Sequence, residues 1–177
     1  MLLETVSIND DRGRFTRVFC ETECTRLRPN LHWQQINISS TVRQGSIRGM
    51  HFQHPPAAEA KLIRCTRGRV FDVAVDLRSG SSTFLQWHAV ELTEDGPMQF
   101  FIPEGFAHGF QTLTPDAQLL YMHSAAWSRS HENTLRYDDP AFSIKWPLAV
   151  EQVSEKDRNA ALLDEHFTGI SLGAHPR

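Results

Sequence analysis

Residues 69–77 read RVFDVAVDL, and the order of side chains in that run decides the fold class. In an extended chain successive side chains point to opposite faces. Phe71, Val73, Val75 and Leu77 therefore share one side, and Val70, Asp72, Ala74 and Asp76 share the other. The first side is a row of β-branched and aromatic residues, which suits a strand. The second side sets a carboxylate, Asp72, in mid-strand. It faces either solvent or a polar cavity inside a closed sheet, and periodicity does not choose between the two.

Working outward, short apolar runs of period two recur at Phe15–Phe19, Trp33–Ser39, Gly45–Phe52, Lys61–Thr66, Phe84–Leu92, Met98–Ile102, Gly109–Leu113 and Leu119–Ser124. Between them lie HPPAAEA, TRG, RSGSS, TEDGP, IPEGF and LTPDA, rich in residues that favour turns. Strands spaced by about 8 to 12 residues predict an all-β sandwich or barrel. About nine of them suit a two-sheet jelly roll, whose interior can take a ligand at its open end. After Trp127 the texture changes to a loop through Tyr137-Asp138-Asp139-Pro140 and a short helix near Ser154, where Ser154 and Asp157 resemble an N-cap pattern. No repeat or linker interrupts the chain, so one domain over residues 1–177 is expected.

Composition narrows the function. The chain has 177 residues, 40% hydrophobic and 22% charged, with a formal charge of -3 at pH 7 and no run of Lys or Arg. That balance offers no footprint for nucleic acid or an anionic membrane. The opening MLLETVSIND holds neither a signal peptide's apolar core nor a spanning segment, so a cytoplasmic protein is expected. Cys20, Cys24 and Cys65 form no C-x-x-C pair and read as reduced thiols. Lysine is rare beside arginine, so Lys61 stands out.

The segment 45–68, GSIRGMHFQHPPAAEAKLIRCTRG, gathers Arg48, His51, Gln53, His54, Glu59, Lys61 and Arg64 over two strands and a turn. His108 lies in the turn IPEGFAHGF, and His123 shares a strand face with Tyr121. A metal site drawn from His51, His54, Glu59 and His108 is one alternative. The spacing opposes it: His51 and His54 face opposite sides unless a bulge intervenes. His32, His88, His131, His166 and His175 read as surface or hydrogen-bonded core residues. The other alternative is acid–base chemistry. A histidine can remove a proton next to a ketone if a cation or hydrogen-bond donor steadies the enolate oxygen. His51, Lys61 and Tyr121 have the side chains for base, oxyanion partner and proton donor, and arginine suits phosphate.

The strings GSIRGMHFQ, AKLIRCTRGRVFDVAVDLRSGSSTF, FIPEGFAHGF and SEKD resemble those of the dTDP-4-dehydrorhamnose 3,5-epimerase family. The resemblance runs from about Asp11 to about Leu163. It implies a cupin-type jelly roll that acts on nucleotide-linked 4-keto-6-deoxy sugars without metal or nicotinamide. By the same resemblance His51 is the base, Asp157 the carboxylate that orients it, Tyr121 the acid on the opposite face, and Lys61 the partner of the keto oxygen. Asp72 and His108 line the cavity, and Arg48 and Gln53 lie around the sugar and diphosphate. Arg12 and Phe15 belong to an N-terminal segment used at a neighbour's site, which implies a homodimer.

Several positions depart from the family pattern. A tyrosine pair that stacks on the nucleotide base is replaced by SAAW, so Trp127 is expected to stack instead; the alternative is a Trp wedged in the core under the following loop. Leu85 stands where the family has glycine, and Arg17 where an acidic residue is usual. Strict alternation also sets Arg48 and His51 on opposite faces, so either the strand bulges or Arg48 reaches round from its end. The expected activity is epimerisation at C3, C5 or both, with dTDP-4-dehydro-6-deoxy-D-glucose as substrate and dTDP-4-dehydro-L-rhamnose as product. A monoepimerase, a metal-dependent cupin and a non-catalytic sugar-binding cupin are the alternatives.

Overall fold

The computed structural model describes residues 1–173, so His175 lies outside the described residues. Two sheets stack face to face. In the first, the order is β1 (Leu2–Glu4), β9 (Met98–Ile102), β6 (Lys61–Arg67), β11 (Ala117–His123) and β4 (Gln35–Thr41). In the second it is β12 (Glu132–Thr134), β5 (Ser46–Gln53), β10 (Phe106–Thr112), β7 (Arg69–Asp76) and β8 (Trp87–Thr93), with β13 (Gln152–Val153) parallel to β5. A hairpin of β2 (Ser7–Asp10) and β3 (Gly13–Thr16) stands apart. This is a cupin-type jelly roll, as expected. Among the described residues, no helix is long and apolar enough to cross a membrane.

Strand β7 answers the question its alternation left open, because both of its faces are covered. Val70 and Ala74 join Ile63, Cys65, Phe110, Leu119 and Tyr121 between the sheets. Val73, Val75 and Leu77 pack on the other side with Met50, Phe52, Ala107, Leu135, Phe142, Ile144 and Ile170. The segment after Trp127 thus covers the outer face of the second sheet. Asp72 is fully buried, so the solvent reading of its face is wrong. A period of two says that a strand has two faces and nothing of what covers each.

Asp76, on the same face as Asp72, has a structural task. Its carboxylate accepts hydrogen bonds from Arg78 Nε (2.9 Å), Ser81 Oγ (2.6 Å) and Thr83 Oγ1 (2.6 Å), fixing the RSGSST turn. Burial alone would raise its pKa, but those donors outweigh burial and hold it well below the usual carboxylate range. A depressed folded-state pKa contributes stability that is present above the unfolded value, near 4, and is lost as pH falls below it. The melting temperature is therefore expected to stay level from neutral pH to about 5 and to fall below about 4. The fall should be smaller in Asp76→Asn, which starts from a lower neutral-pH value. An equally steep acid fall in that variant would count against Asp76 as a source of it.

Some elements differ from expectation. Phe15–Phe19 is not a strand; β3 covers Gly13–Thr16, and the chain then turns into the helix α1 (Glu21–Leu27), too short for a clear 3.6-residue stripe. Strand β8 starts at Trp87 rather than Phe84, because Phe84 N closes a turn onto Ser81 O and Leu85 has φ +61°. That left-handed backbone is one that favours glycine, the residue the family resemblance expects there. Strand β10 begins at Phe106, which puts His108 in a strand rather than a turn. Helix α2 (Glu155–Arg158) is capped as expected, with Asp157 N donating to Ser154 Oγ (3.1 Å).

Candidate active site

Between β5 and β10 the register slips, with His108 opposite His51 and Phe110 opposite Arg48. Three steps along β5 match two along β10, a bulge at Gly49–Met50 that turns Arg48 and His51 to the same side. It forms because two glycines meet there. A Cβ on Gly49 would lie 2.5 Å from Gly109 Cα, and one on Gly109 would lie 2.6 Å from Met50 Sδ. The opposed faces that alternation gives Arg48 and His51 are thereby reconciled, and Met50 and Phe52 stay in the outer core.

Arg48 and His51 both line two adjoining cavities. One, about 310 Å³, is walled by β4, β6, β10 and β11 and is lined by Gln35, Asn37, Ser39, Glu59, Lys61, His108, Phe110, Tyr121, His123, Trp127 and Glu132. The other, about 500 Å³, opens toward Arg43, Ser154, Lys156 and Asp157. His51 Nε2 lies 2.7 Å from Asp157 Oδ1, while Asp157 Oδ2 accepts from Gly49 N at 3.2 Å. Burial alone would raise the Asp157 carboxyl, but the hydrogen bonds from His51, Gly49 and Ser154 leave it lowered. An anionic partner fixes the ring and favours a proton on the nitrogen facing it. Nδ1 is then left as a proton acceptor.

Tyr121 belongs to the opposite sheet and is 8% exposed. Its ring stands edge-on to His108 (5.6 Å) and parallel to His123 (5.8 Å, 16°). Burial, and secondly the Asp72 charge, push its phenol well above the ordinary value, so it stays protonated. His108 Nε2 lies 2.8 Å from Asp72 Oδ1. Burial lowers the His108 pKa more than Asp72 raises it, and His108 is neutral. Lys61 Nζ reaches Glu59 Oε1 and the His51 carbonyl oxygen, each at 3.3 Å. Arg48 Nε donates to Thr41 Oγ1 (2.9 Å) and Nη2 to Ser40 O (3.2 Å), leaving Nη1 for a ligand.

Two expected ligand residues are placed otherwise. Asp72 does not line the cavity; it sits behind His108 and acts on it. Gln53 is also outside the lining. Its Nε2 donates to Ala57 O (3.1 Å) and Ala126 O (3.3 Å), and its Oε1 accepts from Ser128 N (2.6 Å), so the amide serves the loop that carries Trp127. Arg12 pairs with Asp10 and Phe15 is 71% exposed on the β2–β3 hairpin, both outside this chain's own cavities; the expectation for them concerns a neighbour's site. Trp127 is 55% exposed at the cavity mouth, so the core reading of it is wrong.

Glu59 and His123 belong to the cavity although the sequence marked them as a metal alternative and a strand neighbour. Gln35, Asn37 and Ser39 were missed; they alternate with Ile36 and Ile38 on β4, a pattern that shows in the sequence. Among the described residues, no three His, Cys, Asp or Glu side chains converge as a metal requires. His54 lies edge-on to Phe52 (5.0 Å) and approaches Asn133. His32 and His166 are exposed, His88 packs edge-on to Phe100, and His131 bonds Ser128 Oγ, as expected for residues outside a site.

A jelly roll whose interior sets a histidine–carboxylate pair across from a lysine and a protonated tyrosine of the opposite sheet has the layout of an acid–base enzyme. Residues 1–165 match the family dTDP-4-dehydrorhamnose 3,5-epimerase. The chain is 42% identical over 165 residues to the dTDP-4-dehydrorhamnose 3,5-epimerase of Sinorhizobium fredii, which spans 93% of this chain and 85% of that one. The crystal structure of dTDP-4-dehydrorhamnose 3,5-epimerase from Bacillus anthracis, with TDP and PPi bound, has a TM-score of 0.88 at 39% identity, covering 92% of this chain and 93% of that one. The dTDP-6-deoxy-D-glucose-3,5-epimerase of Legionella pneumophila, in complex with dTDP-4-keto-L-rhamnose, has a TM-score of 0.89 at 36% identity, covering 96% and 92%. The chain belongs to the dTDP-4-dehydrorhamnose 3,5-epimerase family.

Proposed function

We propose that this chain epimerises C3 and C5 of a dTDP-linked 4-keto-6-deoxyhexose, with dTDP-4-dehydro-6-deoxy-D-glucose as substrate and dTDP-4-dehydro-L-rhamnose as product. The observation that carries this reading is the placement of base and acid on opposite sheets. His51, on β5, is held by Asp157; Tyr121, on β11, is kept protonated by burial. Both sugar protons are α to the one C4 ketone, so one base and one oxyanion partner serve both centres. His51 takes the proton, Lys61 meets the enolate oxygen as its charge develops, and Tyr121 or water returns a proton from the other face. His108, set by Asp72, lines the pocket beside Tyr121. Arg48 offers Nη1 to the sugar or diphosphate. Incubation with dTDP-4-keto-6-deoxyglucose in deuterium oxide tests the reading: label is expected at both C3 and C5. Label at one carbon alone would identify a monoepimerase, and label at neither would overturn the assignment.

Trp127 is the residue that stacks on the nucleotide base. Its ring is exposed, and its backbone N donates to Gln35 Oε1 (3.0 Å) in a loop fixed by Gln53. Trp127→Ala is expected to weaken binding of the nucleoside diphosphate by about 1 to 3 kcal/mol, the range for base–aromatic stacking, with little change in melting temperature. Unchanged affinity measured by calorimetry would exclude the stacking role.

The working unit is a homodimer. Support comes from apolar surface that one chain leaves uncovered: Ile36 and Ile38 are each 63% exposed on the outer face of the edge strand β4, and Ile8 and Phe15 are 68% and 71% exposed on the hairpin. With Arg12, that hairpin is the segment the family resemblance assigns to a neighbour's site. Location in the cytoplasm agrees with the three free cysteines.

A further inference from the structure

Lys61 and His123 sit directly opposite each other on the antiparallel strands β6 and β11. Two basic side chains in that relation repel when both carry charge. Glu59 lies between them. Its Oε1 is 3.3 Å from Lys61 Nζ and its Oε2 is 2.8 Å from His123 Nδ1, and the side chains of Glu59, Lys61 and His123 are 9%, 7% and 13% exposed. The backbone beside it is pinned, since Ala60 N donates to Ser124 Oγ (2.7 Å) and Ser124 N to Ala60 O (3.0 Å). Burial alone would raise the Glu59 carboxyl, yet the His123 bond and the Lys61 charge more than offset it, so the carboxylate is anionic at neutral pH.

We propose that Glu59 is the positioning residue of this site, aiming Lys61 with one oxygen and, through His123, steadying the Tyr121 ring with the other. The inference rests on the epimerase reading above. A lysine ammonium has three donors on a flexible stem. Here one goes to Glu59 and one to the His51 carbonyl, which leaves the third for the enolate oxygen. His123 lies parallel to Tyr121, so the clamp that fixes the oxyanion side also fixes the side that returns the proton. Neither effect requires Glu59 to touch the sugar.

The test is a double-mutant cycle read by deuterium exchange and product formation. Glu59→Gln keeps size but offers an acceptor to only one of the two partners. It is expected to slow exchange at saturating substrate by about 10- to 100-fold, the scale of a misplaced catalytic group, with KM within about threefold. In a Lys61→Met background the same change should slow exchange by less than about threefold, because the lysine it aims is gone. The ratio of product to exchange should fall in Glu59→Gln and hold in Lys61→Met. If Glu59→Gln does not fold, Glu59→Asp, which keeps the charge but loses the reach, runs the same cycle. Equal losses in both backgrounds, a loss confined to KM, or an unaltered product-to-exchange ratio overturns the proposal. No exchange in the unaltered protein would instead overturn the epimerase reading itself.

Discussion

His51→Ala is expected to remove deuterium exchange at the sugar, by about 10² to 10⁴-fold, while the protein stays folded. The ring belongs to none of the buried apolar clusters, and 35% of its side chain is exposed to the cavity. The carboxylate it leaves behind keeps other partners, since Asp157 still accepts from Gly49 N and its own N–H still caps onto Ser154. Among the described residues, no other histidine is placed to substitute: His108 is tied to Asp72 and His123 to Glu59. Exchange retained above about a tenth of the unaltered rate would remove His51 from the role of general base.

Tyr121→Phe is expected to separate the two halves of the proposed reaction. In that reading the phenol enters after the enolate has formed, so proton removal should fall little while net epimerisation falls by about 10²-fold or more, the scale of a lost general acid. The enolate would then recover its proton from the His51 side and return to starting sugar. Phenylalanine keeps the ring between His108 and His123, so the measured change reports the hydroxyl rather than the packing. Equal losses of exchange and product would show that Tyr121 is not a separate acid.

The strands were readable wherever an alternating run was bounded by turn residues, and β6, β7 and β9 lie close to where the pattern sets them. Period-two reading failed where the backbone departs from period two. The bulge in β5 decides that Arg48 joins His51, and two glycines carry no hydropathy with which to announce it. Asp72 and Gln53 were recognised as belonging to the site but were assigned contact with ligand. Each instead supports a neighbour, a distinction set by which side chain reaches the cavity first. Glu59 and His123 lie 64 positions apart. Only the pairing of β6 with β11 brings them together, and no local spacing encodes that.

The glycine contact behind the active site bears on how this enzyme can be altered. Arg48, His51 and His108 all project from the few residues around Gly49 and Gly109, where the two backbones touch with no side chain between them. In a library that randomises every position, these two would behave as a hinge pin: any residue larger than glycine at either one would push β5 off β10 and carry His51 away from Asp157. Altered substrate range is better sought in the lining contributed by β4 and by the Trp127 loop, which can vary without moving the place where His51 is anchored.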